Sequence, residues 1–176
     1  MNTDKHRFLL ILLLIFAFAV SVSAQKSGAA ETVKSFYIFH NSRSGLFSLH
    51  EVNLRRKWFT AELNKLFLNE LKREDEFTKR NPTEKPHYGD GFPLQPFSEC
   101  VDGEKVIINT FEVKEISSDA SKAMVEVKFY SPEKCEKKLI DTYKVELVKA
   151  KNSWLINDWI YSDKTRLTDD LKRKDY

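Results

Sequence analysis

The chain has 176 residues, with 29 lysines and arginines against 26 acids, and 41% of its residues are hydrophobic. That balance fits a core-forming chain and excludes the dense basic character that a nucleic-acid partner calls for. The two cysteines stand alone, with no second cysteine or histidine at ligand spacing, so neither a structural metal nor a cofactor is expected.

"MNTDKHR" carries Lys5 and Arg7, "FLLILLLIFAFAV" follows without a charge, and Val22-Ser23-Ala24 ends the run in small residues. This three-part order reads as a secretory signal peptide cleaved after Ala24, leaving Gln25 first. The apolar run, 8–22, spans 15 residues, where a membrane-crossing helix needs about 20. A membrane anchor is therefore the lesser reading, and no stable span is expected after cleavage. The product should be periplasmic or secreted. Removing 24 residues from 176 leaves 152, and the loss of Lys5, Arg7 and Asp4 leaves 27 basic against 25 acidic side chains. Such a chain reads as a signal peptide over 1–24, one domain over 25–162 and a polar tail over 163–176.

The first half of the domain has helical period. In "ETVKSFYIFH", Val33, Phe36, Tyr37 and His40 recur at the spacing that makes one helix stripe, with Gly45 expected to end the element. A second helical region starts near Leu49, and Thr60 can cap a new axis that carries Phe59, Leu63, Leu66, Phe67 and Glu70 or Leu71 on one face. Asn81-Pro82 closes it. The basic runs "LRRK" (54–57) and "LKRK" (171–174) read as solvated faces.

After residue 102 the period drops to two. "KVIINTFEVKEI", "AMVEVKFY", "TYKVELVKA" and "WLINDWIY" alternate as strands, separated by polar turns, which predicts an antiparallel meander. Helices followed by consecutive strands give an α+β class, with amino-terminal helices packed on one face of a curved four-stranded sheet. The tail "KTRLTDDLKRKDY" reads as a short helix or frayed end. Cys100 and Cys135 lie in the exported part, and in an oxidising compartment their even count predicts a disulfide; two buried free thiols are the alternative.

"FY" in the first helix, "WFTAELNKLF" in the second, an Asp-Gly and a Pro-Phe in the loop between the halves, and the closing "WLINDWIY" together resemble an uncharacterised family of exported bacterial domains, domain of unknown function 3828. That family is similar to the nuclear-transport-factor-like, or cystatin-like, cone. The resemblance covers most of residues 30–162 and implies a bent antiparallel sheet curled around helices, leaving a half-open cavity. It implies no activity, because that superfamily hosts isomerases, dehydratases, transport adaptors and immunity proteins alike.

Two places invite a site. Residues 82–96 hold Pro82, Pro86, Pro93 and Pro96 with Gly89 and Gly91, and Tyr88, Phe92, Leu94 and Phe97 add apolar area. The stretch is expected to pack down as a structural loop rimming the cavity with Tyr88, Asp90, Phe92 and Phe97, with Phe97 worth about 3–5 kcal/mol if its ring is fully buried. Asp90 lacks the alternating oxygens of a calcium loop. The second place is Asp158. If Trp154, Ile156 and Ile160 turn inward, a period of two puts Asp158 on the same face, where a buried carboxylate could act as a base beside Tyr37 or Tyr143; the opposite parity buries Leu155, Trp159 and Tyr161 instead. His40 and His50 read as surface or capping groups. No nucleophile elbow, zinc helix or phosphate loop is present. The preferred reading is a non-enzymatic binding domain of the cell envelope, immunity-like in one form, whose partner is a protein, peptide or small apolar ligand; the alternative is a small isomerase or dehydratase using an inward Asp158.

Overall fold

A computed structural model describes residues 28–43 and 45–173; the signal-peptide reading of 1–24 lies outside them. The chain is α+β, with helices and a four-stranded antiparallel sheet. Helix α1 (Ala29–Asn41) buries Val33, Phe36, Tyr37 and His40, the stripe read from the sequence. It stops four residues before Gly45. That glycine instead makes room for its neighbour, since a Cβ there would collide with the Glu51 side chain.

Helix α2 (Leu49–Arg55) starts on Ser48, whose hydroxyl accepts from Glu51 N, and runs into a single 3₁₀ turn, Arg56–Trp58. Helix α3 (Ala61–Arg80) has the expected Thr60 cap, with Oγ1 accepting from Leu63 N at 3.2 Å. The axis breaks at 59–60 because Phe59 is extended and Thr60 N bonds to the Ile156 carbonyl at 2.9 Å.

A small hairpin, β1 (Val101–Asp102) with β2 (Lys105–Val106), precedes the main sheet. The expected single strand from residue 105 is thus divided: Gly103, at φ +63°, turns the chain back, and Ile107 N bonds to the Cys100 carbonyl. Strands β3 (Thr110–Ser118), β4 (Lys122–Tyr130), β5 (Leu139–Ala150) and β6 (Ser153–Ile160) follow in the order β3-β4-β5-β6, the predicted meander. Val125, Val127 and Phe129, with Tyr143, Val145 and Leu147, face the helices and are buried. The outer edge of β6 is covered by bridges to Phe59 and Arg166, which leaves β3 as the open edge.

The core is aromatic. Phe36, Tyr37, Phe59, Phe67, Phe129 and Trp159 lie between α1, α3 and the sheet, and Tyr37 is its polar centre. The Tyr37 hydroxyl donates to the Leu94 carbonyl at 2.8 Å and accepts from Trp159 Nε1 at 2.9 Å, and burial pushes its pKa upward. Helix, loop and last strand are thereby joined at one oxygen.

The segment after β6 takes the short helix, one of the two forms expected of the tail, but it packs into the core. It turns back at 161–165 and forms a short helix, α4 (Leu167–Asp170), with Leu167 and Leu171 fully buried in the core. Of "LKRK", Leu171 is buried and Arg173 pairs with Glu70, while Lys172 is exposed. Glu70, fully buried on α3, receives Arg73 and Arg173, while Tyr88 donates its hydroxyl to Asp170. Two leucines outweigh the surrounding charges because those charges are paired.

Cys100 and Cys135 form the expected disulfide, with Cα atoms 5.7 Å apart. It closes a span of 35 residues between the hairpin and the turn after β4. Replacing both cysteines by serine should lower stability by roughly 3–4 kcal/mol on the chain-entropy model. Urea unfolding checks this; a loss below about 1 kcal/mol would mean the span is already ordered without the bond.

Candidate functional site

The loop between α3 and the sheet is anchored from below. Tyr88 N donates to Glu74 Oε1 at 2.6 Å, Leu94 is fully buried under Tyr37, and Phe92 packs against Phe47 and Phe67. Phe97 breaks the expected pattern: its side chain does not pack down but stands 77% exposed. With Leu94 and Phe92 already filling the space below, the chain climbs out at Gln95-Pro96 and leaves the ring outside. Its truncation therefore loses the expected 3–5 kcal/mol effect.

A cleft of about 420 Å³ opens between this loop, the end of α1 and the stretch before β3. Of the four residues considered for a cavity rim, Asp90, Phe92 and Phe97 line this cleft and Tyr88 does not. Asp90 pairs with Lys85 at the exposed mouth, at 2.5 Å. The apolar walls include Phe92, Pro96, Val106 and Ile108, and His40, Arg43, Gln95, Ser98 and Asn109 add polar groups to the lining.

Behind the cleft sits a charged cluster that sequence reading missed. Arg55 is fully buried: its Nε donates to His40 Nδ1 at 3.0 Å, its Nη1 to Glu51 Oε2 at 2.6 Å and to the Glu51 carbonyl at 2.9 Å, and its guanidinium lies 4.4 Å over the Phe92 ring. Arg43 completes the arrangement, donating to Glu51 Oε1 at 2.7 Å. Hydrogen bonds from Arg43, then Arg55, hold the Glu51 carboxyl down at about 2 against the opposing effect of burial. Burial and the Arg55 charge lower His40 to about 3, so the ring is neutral near pH 7. In "LRRK", Arg56 and Lys57 are exposed as expected while Arg55 is buried, and His40 is not a surface group. Helix α2 passes into the 3₁₀ turn at Arg56, with Arg55 facing inward and Arg56 exposed. The available signal was position: His40 lay on an apolar stripe, where a titratable ring must be satisfied, and Glu51 precedes Arg55 by four residues on a capped helix.

Asp158 falls outside both parities considered for it. The register between β5 and β6 slips between Glu146 and Leu147, so Ile156 and Trp159 both face the helices, and Asp158 points to the opposite side beside Glu146. There it is buried under the returning chain. It accepts from Trp159 N at 2.9 Å, Thr168 N at 3.0 Å, Arg166 Nε at 2.8 Å and Thr168 Oγ1 at 2.7 Å. Four donors fill its lone pairs, and Tyr37 and Tyr143 lie across the sheet. Its geometry is that of an anchor for α4.

On the other side of Phe97 lies a second depression, of about 490 Å³, lined by the Cys100–Cys135 bridge, Leu139 and Ile140. Phe97 is the ridge shared by the two hollows, and Val101, Val106, Ile108 and Leu139 are also exposed. Among the described residues, no helix is long and apolar enough to cross a membrane, and no three His, Cys, Asp or Glu side chains gather as a metal site. Compared with protein-family models, curated proteins and solved structures, the chain matches none.

Proposed function

We propose that this chain is an exported envelope domain that binds a protein or peptide partner through the apolar ridge around Phe97. The observation that carries the reading is the ridge itself. A large aromatic ring stands in solvent between two hollows, with further apolar side chains around it and a disulfide beneath. Exposed apolar groups gathered in one place mark interaction surfaces, and aromatic side chains with little rotamer entropy are favoured at their centres. The disulfide is compatible with an oxidising compartment, and the apolar leader supplies the route there. Helices on one face of a four-stranded antiparallel sheet fit the half-open cone of the nuclear-transport-factor-like and cystatin-like domains. The isomerase or dehydratase alternative loses support because Asp158 faces away from the cleft.

The test places a photo-crosslinking phenylalanine analogue at position 97 and, as a control, at Leu68, which is exposed on α3. Irradiation in the exporting cell should give discrete adducts from position 97 and none from position 68. Phe97→Ala should leave stability within about 0.5 kcal/mol of the parent, as for other surface substitutions. Equal adducts from both positions, or a marked loss of stability in Phe97→Ala, would return Phe97 to a structural role.

A further inference from the structure

Among the described residues, strand β3 is the uncovered edge of the main sheet, and it is lightly guarded. Its regular part, 110–115, pairs with β4 on one side and offers unpaired backbone groups on the other. No proline interrupts it, and the register shifts only between Glu115 and Ser117. Phe111 and Val113 pack toward the core yet stay half-buried, whereas their neighbours Phe129 and Val127 on β4 are fully buried. What the edge lacks is a further strand. No residue of 110–115 lines either hollow beside Phe97, so this surface lies apart from the docking reading above and goes beyond it.

The outer face indicates which strand. Lys144 on β5, Glu126 on β4 and Lys114 on β3 stand opposite one another in one row, and Thr142, Lys128 and Glu112 in the next. Along these rows the charged residues alternate in sign, so the first reaches the edge with a cation and the second with an anion. Two copies pairing antiparallel about a two-fold axis set one residue of β3 against itself, because directly opposed residues point to the same side of a sheet. Centred on Glu112, like acids meet; centred on Lys114, like bases meet. Centred on Val113, Glu112 faces Lys114 at both symmetric positions, Val113 faces Val113, and Phe111 faces Glu115. The first row of one copy then runs into the second row of the other as Lys144, Glu126, Lys114, Glu112, Lys128, alternating in sign throughout. We propose that β3 is a homodimer edge, joining two copies antiparallel about Val113 into one continuous sheet. An edge lysine ordinarily repels added strands. Here Lys114 admits a second copy in this register and penalises the two beside it.

Charge exchange followed by sedimentation velocity tests the register. The parent should dimerise. Glu112→Lys turns both Glu–Lys contacts into Lys–Lys and should weaken self-association about tenfold, and Lys114→Glu should do the same through Glu–Glu contacts. Mixing the two variants should restore a dimer containing one of each, because the lysines of one then face the glutamates of the other. Both side chains are exposed, and the restored dimer itself shows that the variants are folded. A photo-crosslinking residue at position 113 should join two copies in the exporting cell. A parent that stays monomeric at millimolar concentration, single variants that associate as well as the parent, or a mixture no more associated than its components would overturn the proposal. Adducts from position 113 to a different chain alone would assign the edge to another occupant and overturn it equally.

Discussion

Replacing Arg55 by alanine is expected to lower stability by about 3–5 kcal/mol, the range for removing one member of a buried, hydrogen-bonded ion pair. The guanidinium contacts His40, Glu51 and the Phe92 ring at once. Its loss leaves His40 Nδ1 without a donor and Glu51 with Arg43 alone, at the edge of the cluster. Most of the effect should come from groups stranded in the interior, more than from the attraction itself. A double-mutant cycle with Glu51→Ala separates the two: the pair should lose less than the sum of the single changes, by about 1–3 kcal/mol. Additive losses, or an Arg55→Ala variant within 1 kcal/mol of the parent in urea, would show that the cluster carries no shared energy.

Acid should unfold this protein through His40 before it does so through the carboxylates. Folded His40 lies at about 3, below its ordinary value of 6.5. The unfolded chain therefore takes up the proton first as pH falls. Stability is fully present above about pH 6.5 and is lost as pH drops toward 3; at about 1.4 kcal/mol per unit, the loss between pH 7 and pH 4 is on the order of 3 kcal/mol. Glu51, held at about 2 against an ordinary 4.5, adds to the loss only below about pH 4.5. In the window from 6.5 to 4.5 the histidine acts ahead of Glu51, while Glu74, raised by burial, takes up its proton first in the folded state and opposes it. Chemical denaturation across that window should fall steeply for the parent and less so for His40→Asn, which keeps an acceptor for Arg55 and cannot titrate. In the native parent, the His40 ring resonances should stay constant from pH 7 to pH 4.5. A ring that titrates near 6.5 would cancel the expectation.

Local rules carried far in this chain. The α1 stripe, the Thr60 cap, the Asn81-Pro82 stop and the meander each depend on spacings within a few residues, and spacing is what a sequence displays. What stayed hidden depends on partners distant in sequence. Arg55 looked solvated in "LRRK" because nothing near it announces His40, fifteen residues earlier, or Phe92. The parity of β6 could not be read because one slipped register switches it in mid-strand. Leu167 and Leu171 sat among charges whose partners, Glu70 and Tyr88, lie on other elements. Phe97 was misread for the converse reason. An aromatic ring in a proline-rich loop resembles its buried neighbours until Leu94 and Phe92 have taken the space.

The Tyr37 hydroxyl, held by Trp159 from 122 positions away, has a kinetic corollary. While the chain emerges amino end first, Phe36, Tyr37 and Phe59 have no sheet to cover them until the last strand has followed. Contacts of such long sequence separation must overcome loop closure before they contribute, and domains dominated by them fold slowly. The aromatic core therefore closes late, and on the proposed export route that delay would favour passage of an unfolded amino-terminal half through a narrow pore.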